Sequence, residues 1–269
     1  MTAHPQATVE YQETGHGQAI VFVPGSFSTG SSWRNISTPL SERYRTVTTS
    51  LSGYGKTQER RRPGGTHIED EMDVLEAVLE TAGTPVHLVA HSFGAWVALA
   101  FATRRNPKLL SMTLLEPTAF NLLGLGGESA LNQEVHTMTG RYMTEWESGN
   151  QKAVRHVIDF YGEAGTFDAY PPALQEKLVG YTPTNILDWK TGYADSIKPA
   201  DLDTLKVPTL VVCGGLSHMA MQRCNQLLVD HLPQARFMTL EGANHFMVAT
   251  HAPDLTHAIE HHIRSIGGG

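Results

Sequence analysis

Residues 85–104 read PVHLVAHSFGAWVALAFATR, and the fold turns on them. An apolar run over residues 86–90 has the length of a buried strand. His91-Ser92-Phe93-Gly94-Ala95 follows with no loop. From Ser92 onward the apolar residues Ala95, Trp96, Ala98, Leu99 and Ala102 recur at helical spacing. A strand that becomes a helix at a serine needs a sharp, strained turn, so its neighbours must be small. Ala90 lies two residues before Ser92 and Gly94 two after. Such a turn lifts the hydroxyl above the strand ends. It also sets the Phe93 N–H at a helix N-terminus, where partial positive charge favours an oxyanion. Ser92 is therefore read as a nucleophile; the competing reading is a plain helix N-cap.

The flanking pattern extends the strand–helix alternation. Residues 9–13 read as a short edge strand, and residues 19–23, AIVFV, as a buried one ending in Pro24-Gly25-Ser26-Phe27. Further strands are expected over residues 44–51, 111–115, 207–213 and 235–240. Helices are expected over residues 68–81, 219–231 and 253–266. This order implies an α/β fold with a mostly parallel sheet covered on both faces. Between the strands at 111–115 and 207–213 lie residues 117–206, 90 in all. A strand–helix–strand unit needs about 30. The surplus reads as a helical cap inserted into a core of residues 1–116 and 207–269, rich in aromatics that can line a pocket or form the cap's own core. The glycine run at 122–127 reads as a mobile hinge of that cap.

Composition excludes several functions. The chain has 269 residues, 41% hydrophobic, with net charge −7, so a nucleic-acid partner is not expected. Its basic cluster, Arg60-Arg61-Arg62, precedes Pro63-Gly64-Gly65 and reads as a solvated loop. Two cysteines make no disulfide framework, which suits a reducing, cytoplasmic compartment. The N-terminal stretch has neither the basic nor the apolar region of a signal peptide, and no apolar run is long enough to span a membrane. Gly55-Lys56-Thr57 resembles the end of a phosphate-binding loop, but the glycine required five residues earlier is Ser50, and no helix follows. No metal site is expected: His257 and His261 are an i, i+4 pair without a carboxylate partner, and with His262 they read as a solvated helix face. No cofactor is expected. A small-molecule substrate is the expected partner, and homo-oligomerisation is left open.

The chain resembles the α/β-hydrolase fold superfamily, whose nucleophile turn reads Gly-x-Ser-x-Gly; here Ala90-His91-Ser92-Phe93-Gly94 stands in its place. The resemblance implies that the Ser26 N–H, after Pro24-Gly25, joins that of Phe93 in an oxyanion hole. An ordinary Pro-Gly turn is the alternative there. Among 14 histidines, His245 follows the last strand on a Gly-Ala-Asn turn and matches the family's catalytic histidine. The acid departs from the pattern. The family's usual aspartate position, after the strand at 207–213, is Ser217. Glu116, at the end of the neighbouring strand, is the acid instead; the competing readings are a cap-anchoring residue or a dyad without an acid. Phe27, Phe120, Trp146 and Phe246 are the expected pocket residues. Together these imply a metal-free serine hydrolase of small or medium apolar esters or lactones, with a Ser-Glu-His triad. Carbon–carbon bond hydrolysis, cofactor-free perhydrolysis, hydroxynitrile cleavage and a non-enzymatic ligand receptor remain as alternatives on the same framework.

Overall fold

The computed structural model describes residues 8–61 and 65–267. Arg62, Pro63, Gly64 and the terminal Gly268-Gly269, each part of a reading above, lie outside the described residues, as does the beginning of the N-terminal stretch.

In chain order the elements are β1 (Gln12–Thr14), β2 (Ala19–Val23), α1 (Arg34–Leu40), β3 (Arg45–Thr48), α2 (Ile68–Ala82), β4 (Val86–His91), α3 (Ser92–Arg105) and β5 (Leu109–Leu115). Six helices follow: α4 (Asn121–Leu125), α5 (Ser129–Glu147), α6 (Arg155–Tyr161), α7 (Thr166–Ala169), α8 (Pro172–Ala194) and α9 (Pro199–Leu202). The chain then returns through β6 (Thr209–Gly214), α10 (Met219–Asp230), β7 (Ala235–Leu240), α11 (Met247–Thr250) and α12 (Ala252–Gly267).

The strands form one seven-stranded sheet in the order β1-β3-β2-β4-β5-β6-β7, parallel except for β1. This is the α/β-hydrolase fold that the resemblance implies. Alternation along the strands explains the layers. In β2, Ala19, Val21 and Val23 pack on the α2–α3 side, whereas Ile20 and Phe22 pack on the side of α1 and α12. Helix α3 is buried from Ser92 to Ala102, which makes it the central helix rather than a half-exposed one. Strand order reverses around β2, so the carboxyl ends of β2 and β4 flank the crevice where open α/β sheets place ligands.

Four local expectations differ from the structure. The first strand begins at Gln12, because Glu10 is taken up by side-chain bonding: its carboxylate accepts from Ser50 Oγ at 3.0 Å and from the Lys56 N–H at 2.8 Å. The same bonds occupy the loop that resembles a phosphate cradle. Residues 122–127 are not a loop throughout: α4 covers their first part, and Gly126 lies so close to α10 that a Cβ would meet Leu227 at 2.8 Å. On α12, His257 and His261 are exposed, but His262 is buried, and its Nε2–H donates to the Met112 carbonyl at 3.1 Å. The basic cluster divides: Arg60 is exposed and Arg61 is buried. Among the described residues no helix is long and apolar enough to cross a membrane.

Candidate active site

The turn between β4 and α3 has the strain its sequence implies. Ser92 sits at φ 56°, in the left-handed region that side chains other than glycine rarely adopt. Two glycines let the backbone close around it. A Cβ on Gly25 would lie 2.6 Å from Ser92 Cβ, and one on Gly94 would lie 2.2 Å from the Pro24 carbonyl oxygen. The turn after β2 therefore presses directly on the start of α3. Ser26 and Phe93 border the same cavity as Ser92. Among the described residues no hydrogen bond occupies the Ser26 N–H. The Phe93 N–H belongs to the first turn of α3, whose amides have no partner within the helix.

Three side chains meet at the strand ends. Ser92 Oγ is 2.8 Å from His245 Nε2, and His245 Nδ1 is 2.6 Å from Glu116 Oε2. Glu116 reaches the histidine because it too is left-handed, at φ 45°, where β5 ends. It is fully buried. Its other oxygen accepts from the Gly214 N–H at 2.6 Å and from Ser217 Oγ at 2.5 Å. Ser217, at the position where the family usually carries its aspartate, thus contributes a donor to the glutamate. Burial pushes the Glu116 carboxyl up, but the hydrogen bonds and charge of His245, with Ser217 and Gly214, outweigh it and hold the group below the usual carboxylate range. An ionised Glu116 only accepts, so His245 Nδ1 carries the proton. The lone pair of Nε2 is then directed at the Ser92 hydroxyl.

Two rings pack against His245. Tyr161, at the end of α6, stacks on it with centroids 4.0 Å apart and planes 19° apart. His91 lies on it at 4.8 Å, and its Nε2–H donates to the His245 carbonyl at 3.0 Å. Burial, then the charge of His245, pushes His91 down to about 3, so it is a neutral brace and not a second base. The sequence carries no signal for this brace.

Above the three side chains lies a cavity of about 910 Å³, bounded below by the sheet and above by α4–α8. Phe27, Phe120 and Phe246 line it. Trp146 does not. It follows Tyr142 by one helical turn on α5 and packs into the cluster that α4–α8 form together with Ala220, Met221 and Cys224 of α10. Asp188, on α8, reaches the cavity and was not foreseen. It is buried, and its carboxylate accepts from Ser26 Oγ, Tyr54 Oη and Arg61 Nη1. Arg61 pairs with Glu59 and Glu71 as well, which is why a nominally basic loop residue is buried. Among the described residues no group of three or more histidine, cysteine, aspartate or glutamate side chains is placed to hold a metal ion.

Comparison with known proteins agrees with this architecture. A sequence profile described as the Alpha/beta hydrolase family matches residues 20–259. The 2-hydroxy-6-oxo-2,4-heptadienoate hydrolase of Pseudomonas putida is 31% identical over 209 residues, 75% of this chain and 73% of that protein. The polyketide synthase ThaQ of Burkholderia thailandensis is 24% identical over 91% of this chain, which spans only 12% of that much longer protein. An esterase structure from Thermogutta terrifontis superposes with a TM-score of 0.76 at 20% identity, covering 96% of this chain and 93% of that one.

Proposed function

The chain belongs to the alpha/beta hydrolase family, and on that footing we propose that it is a serine hydrolase cleaving small or medium apolar carboxylic esters or lactones. The observation that carries the reading is the unbroken chain from Ser92 Oγ to His245 and on to Glu116 at the floor of a largely apolar cavity. Ser92 Oγ attacks the carbonyl carbon while His245 Nε2 takes its proton. The carbonyl oxygen becomes an oxyanion facing the N–H groups of Ser26 and Phe93. His245 then gives the proton to the leaving alkoxide, and an acyl-enzyme remains on Ser92. Water, deprotonated by His245, releases the acid and restores the serine. Glu116 keeps His245 in the productive tautomer and stabilises its cation, and no metal or cofactor takes part.

The cavity favours neutral substrates over a carboxylate such as the heptadienoate in the name of the Pseudomonas relative. Among the described lining residues, Lys177 is the only lysine or arginine, while Asp188 and Asp195, which border the same space, are each paired with an arginine, so no guanidinium is free for a substrate carboxylate there. The direct test is a fluorophosphonate probe with a p-nitrophenyl ester assay. Rapid labelling at Ser92, abolished together with turnover in a folded Ser92→Ala variant, is the expected result. Tight ligand binding with no labelling and no turnover would favour the receptor alternative.

A further inference from the structure

The oxyanion turn is held by an element far from it in sequence. Ser26 follows Gly25, the residue that lies on Ser92, and precedes Phe27, which is itself left-handed at φ 60°. A strained turn of this kind persists only where its surroundings over-determine it. Here the Ser26 hydroxyl donates to Asp188 Oδ2 at 2.5 Å, and Tyr54 Oη donates to the same oxygen at 2.6 Å. Asp188 Oδ1 accepts from Arg61 Nη1 at 2.5 Å. Arg61 in turn donates from Nη2 to the Ser52 carbonyl at 3.0 Å. Asp188 is 2% exposed and Arg61 4% exposed, so the Arg61–Asp188 pair is made in the interior, where geometry is enforced most strongly, and it anchors the carboxylate that holds the partly buried Ser26 at the cavity wall.

We propose that Asp188 is a positioning residue for the oxyanion hole. Through the Ser26 hydroxyl it sets the orientation of the backbone N–H that meets the developing charge. This rests on the serine-hydrolase reading above and extends it. The docking of α8 onto the loop of Tyr54 and Arg61 and the readiness of the oxyanion hole become one structural event. Asp188 also borders the cavity, but its route to the reacting atoms is through Ser26. An error in donor placement on the order of 1 Å lowers rate about a hundredfold. Loss of the tether, with the donor itself retained, should fall between about tenfold and that limit.

The experiment is a double-mutant cycle of Ser26→Ala and Asp188→Asn on p-nitrophenyl butyrate, with active-site titration and thermal unfolding for every variant. Ser26→Ala keeps the backbone N–H and removes only the tether. Each single variant should lose about tenfold to a hundredfold in kcat per titrated site, with KM within about twofold. The double variant should be no slower than the slower single one, because both changes cut the same link. Multiplicative losses would overturn the proposal, as would a kcat loss in Asp188→Asn that merely follows its unfolded fraction. Should Asp188→Asn fail to fold, Ser26→Ala alone decides: kcat within twofold of the unmodified protein overturns it. An unmodified protein that neither labels with fluorophosphonate nor turns over ester refutes the hydrolase reading first and takes this inference with it. A labelled, active protein with additive variants refutes the inference alone.

Discussion

At Glu116 both carboxylate oxygens are committed: one to His245 Nδ1, the other to Gly214 and Ser217. Replacing it with glutamine keeps the volume but removes the charge, and the amide can donate to Nδ1 and reverse the imidazole tautomer. By analogy with amide-for-acid changes in other triads, kcat should fall on the order of 10³- to 10⁴-fold, about 4 to 5.5 kcal/mol of transition-state stabilisation, with KM little changed. Ser217→Ala removes one donor of four, the others being His245, Gly214 and the Cys213 thiol, and leaves the charge, so its loss in kcat should be far smaller. A cap-anchoring role predicts the opposite split: altered KM and lower thermal stability with kcat largely kept. Near-wild-type kcat in Glu116→Gln would exclude it as the acid. Because the folded carboxyl is held below its ordinary range, Glu116 contributes stability above the unfolded carboxylate pKa, and that contribution is lost as pH falls through the folded value.

The elements divide into those that local pattern specifies and those that distant partners specify. β2 and β7 fall on their expected residues, and α3 starts at Ser92, because apolar periodicity and small-residue spacing are local signals. The positions of Glu116 and His245 at strand ends were legible for the same reason. The burial of Arg61 was not: a charged residue beside Pro-Gly-Gly reads as solvated, and its partner Asp188 lies 127 positions away on α8. Trp146 shows the same limit, since an aromatic on a helix carries no mark of which face the surrounding helices will bury. The Arg61 cluster has a pH signature of its own. Burial is the main cause pushing Glu71 up to about 7, against the attraction of Arg61. Its folded pKa is therefore above the unfolded one, and between those values the folded state holds the extra proton. The stability it contributes is full below the unfolded pKa and is lost as pH rises through about 7. Glu71→Gln, which cannot ionise, should remove this dependence. The melting temperature of the unmodified protein relative to Glu71→Gln should fall between pH 5 and pH 8; a difference independent of pH would contradict the assignment.

Over the whole molecule, the carboxyl ends of the strands carry Ser92, Glu116 and His245, and the helices between β5 and β6 supply most of the space above them. Ion pairs tie the two parts together. Asp188 joins α8 to Arg61, Asp195 joins Arg104 of α3, and Glu128, just before α5, joins Arg223 of α10 at 2.6 Å. The cavity of about 910 Å³ is near the upper end of ordinary ligand sites. Its upper wall includes Phe120, Ile158, Leu178 and Trp189, while Ser92 and His245 lie at the floor. An acyl chain bound at Ser92 would run along apolar surface, and each methylene it buries contributes about 0.8 kcal/mol. That corresponds to about a fourfold gain in kcat/KM per methylene at most. A series of p-nitrophenyl esters should therefore rise in kcat/KM from acetate into the medium-chain acyl groups, then fall once the chain outgrows the space. Leu178 is a sharp test, since it lies on α8 facing the cavity and is 6% exposed. Leu178→Trp should fill part of the volume, shift the optimum toward shorter acyl groups and cost the octanoyl ester far more than the acetyl ester. An optimum that stays in place in a folded Leu178→Trp variant would mean that the acyl chain leaves Ser92 by another wall.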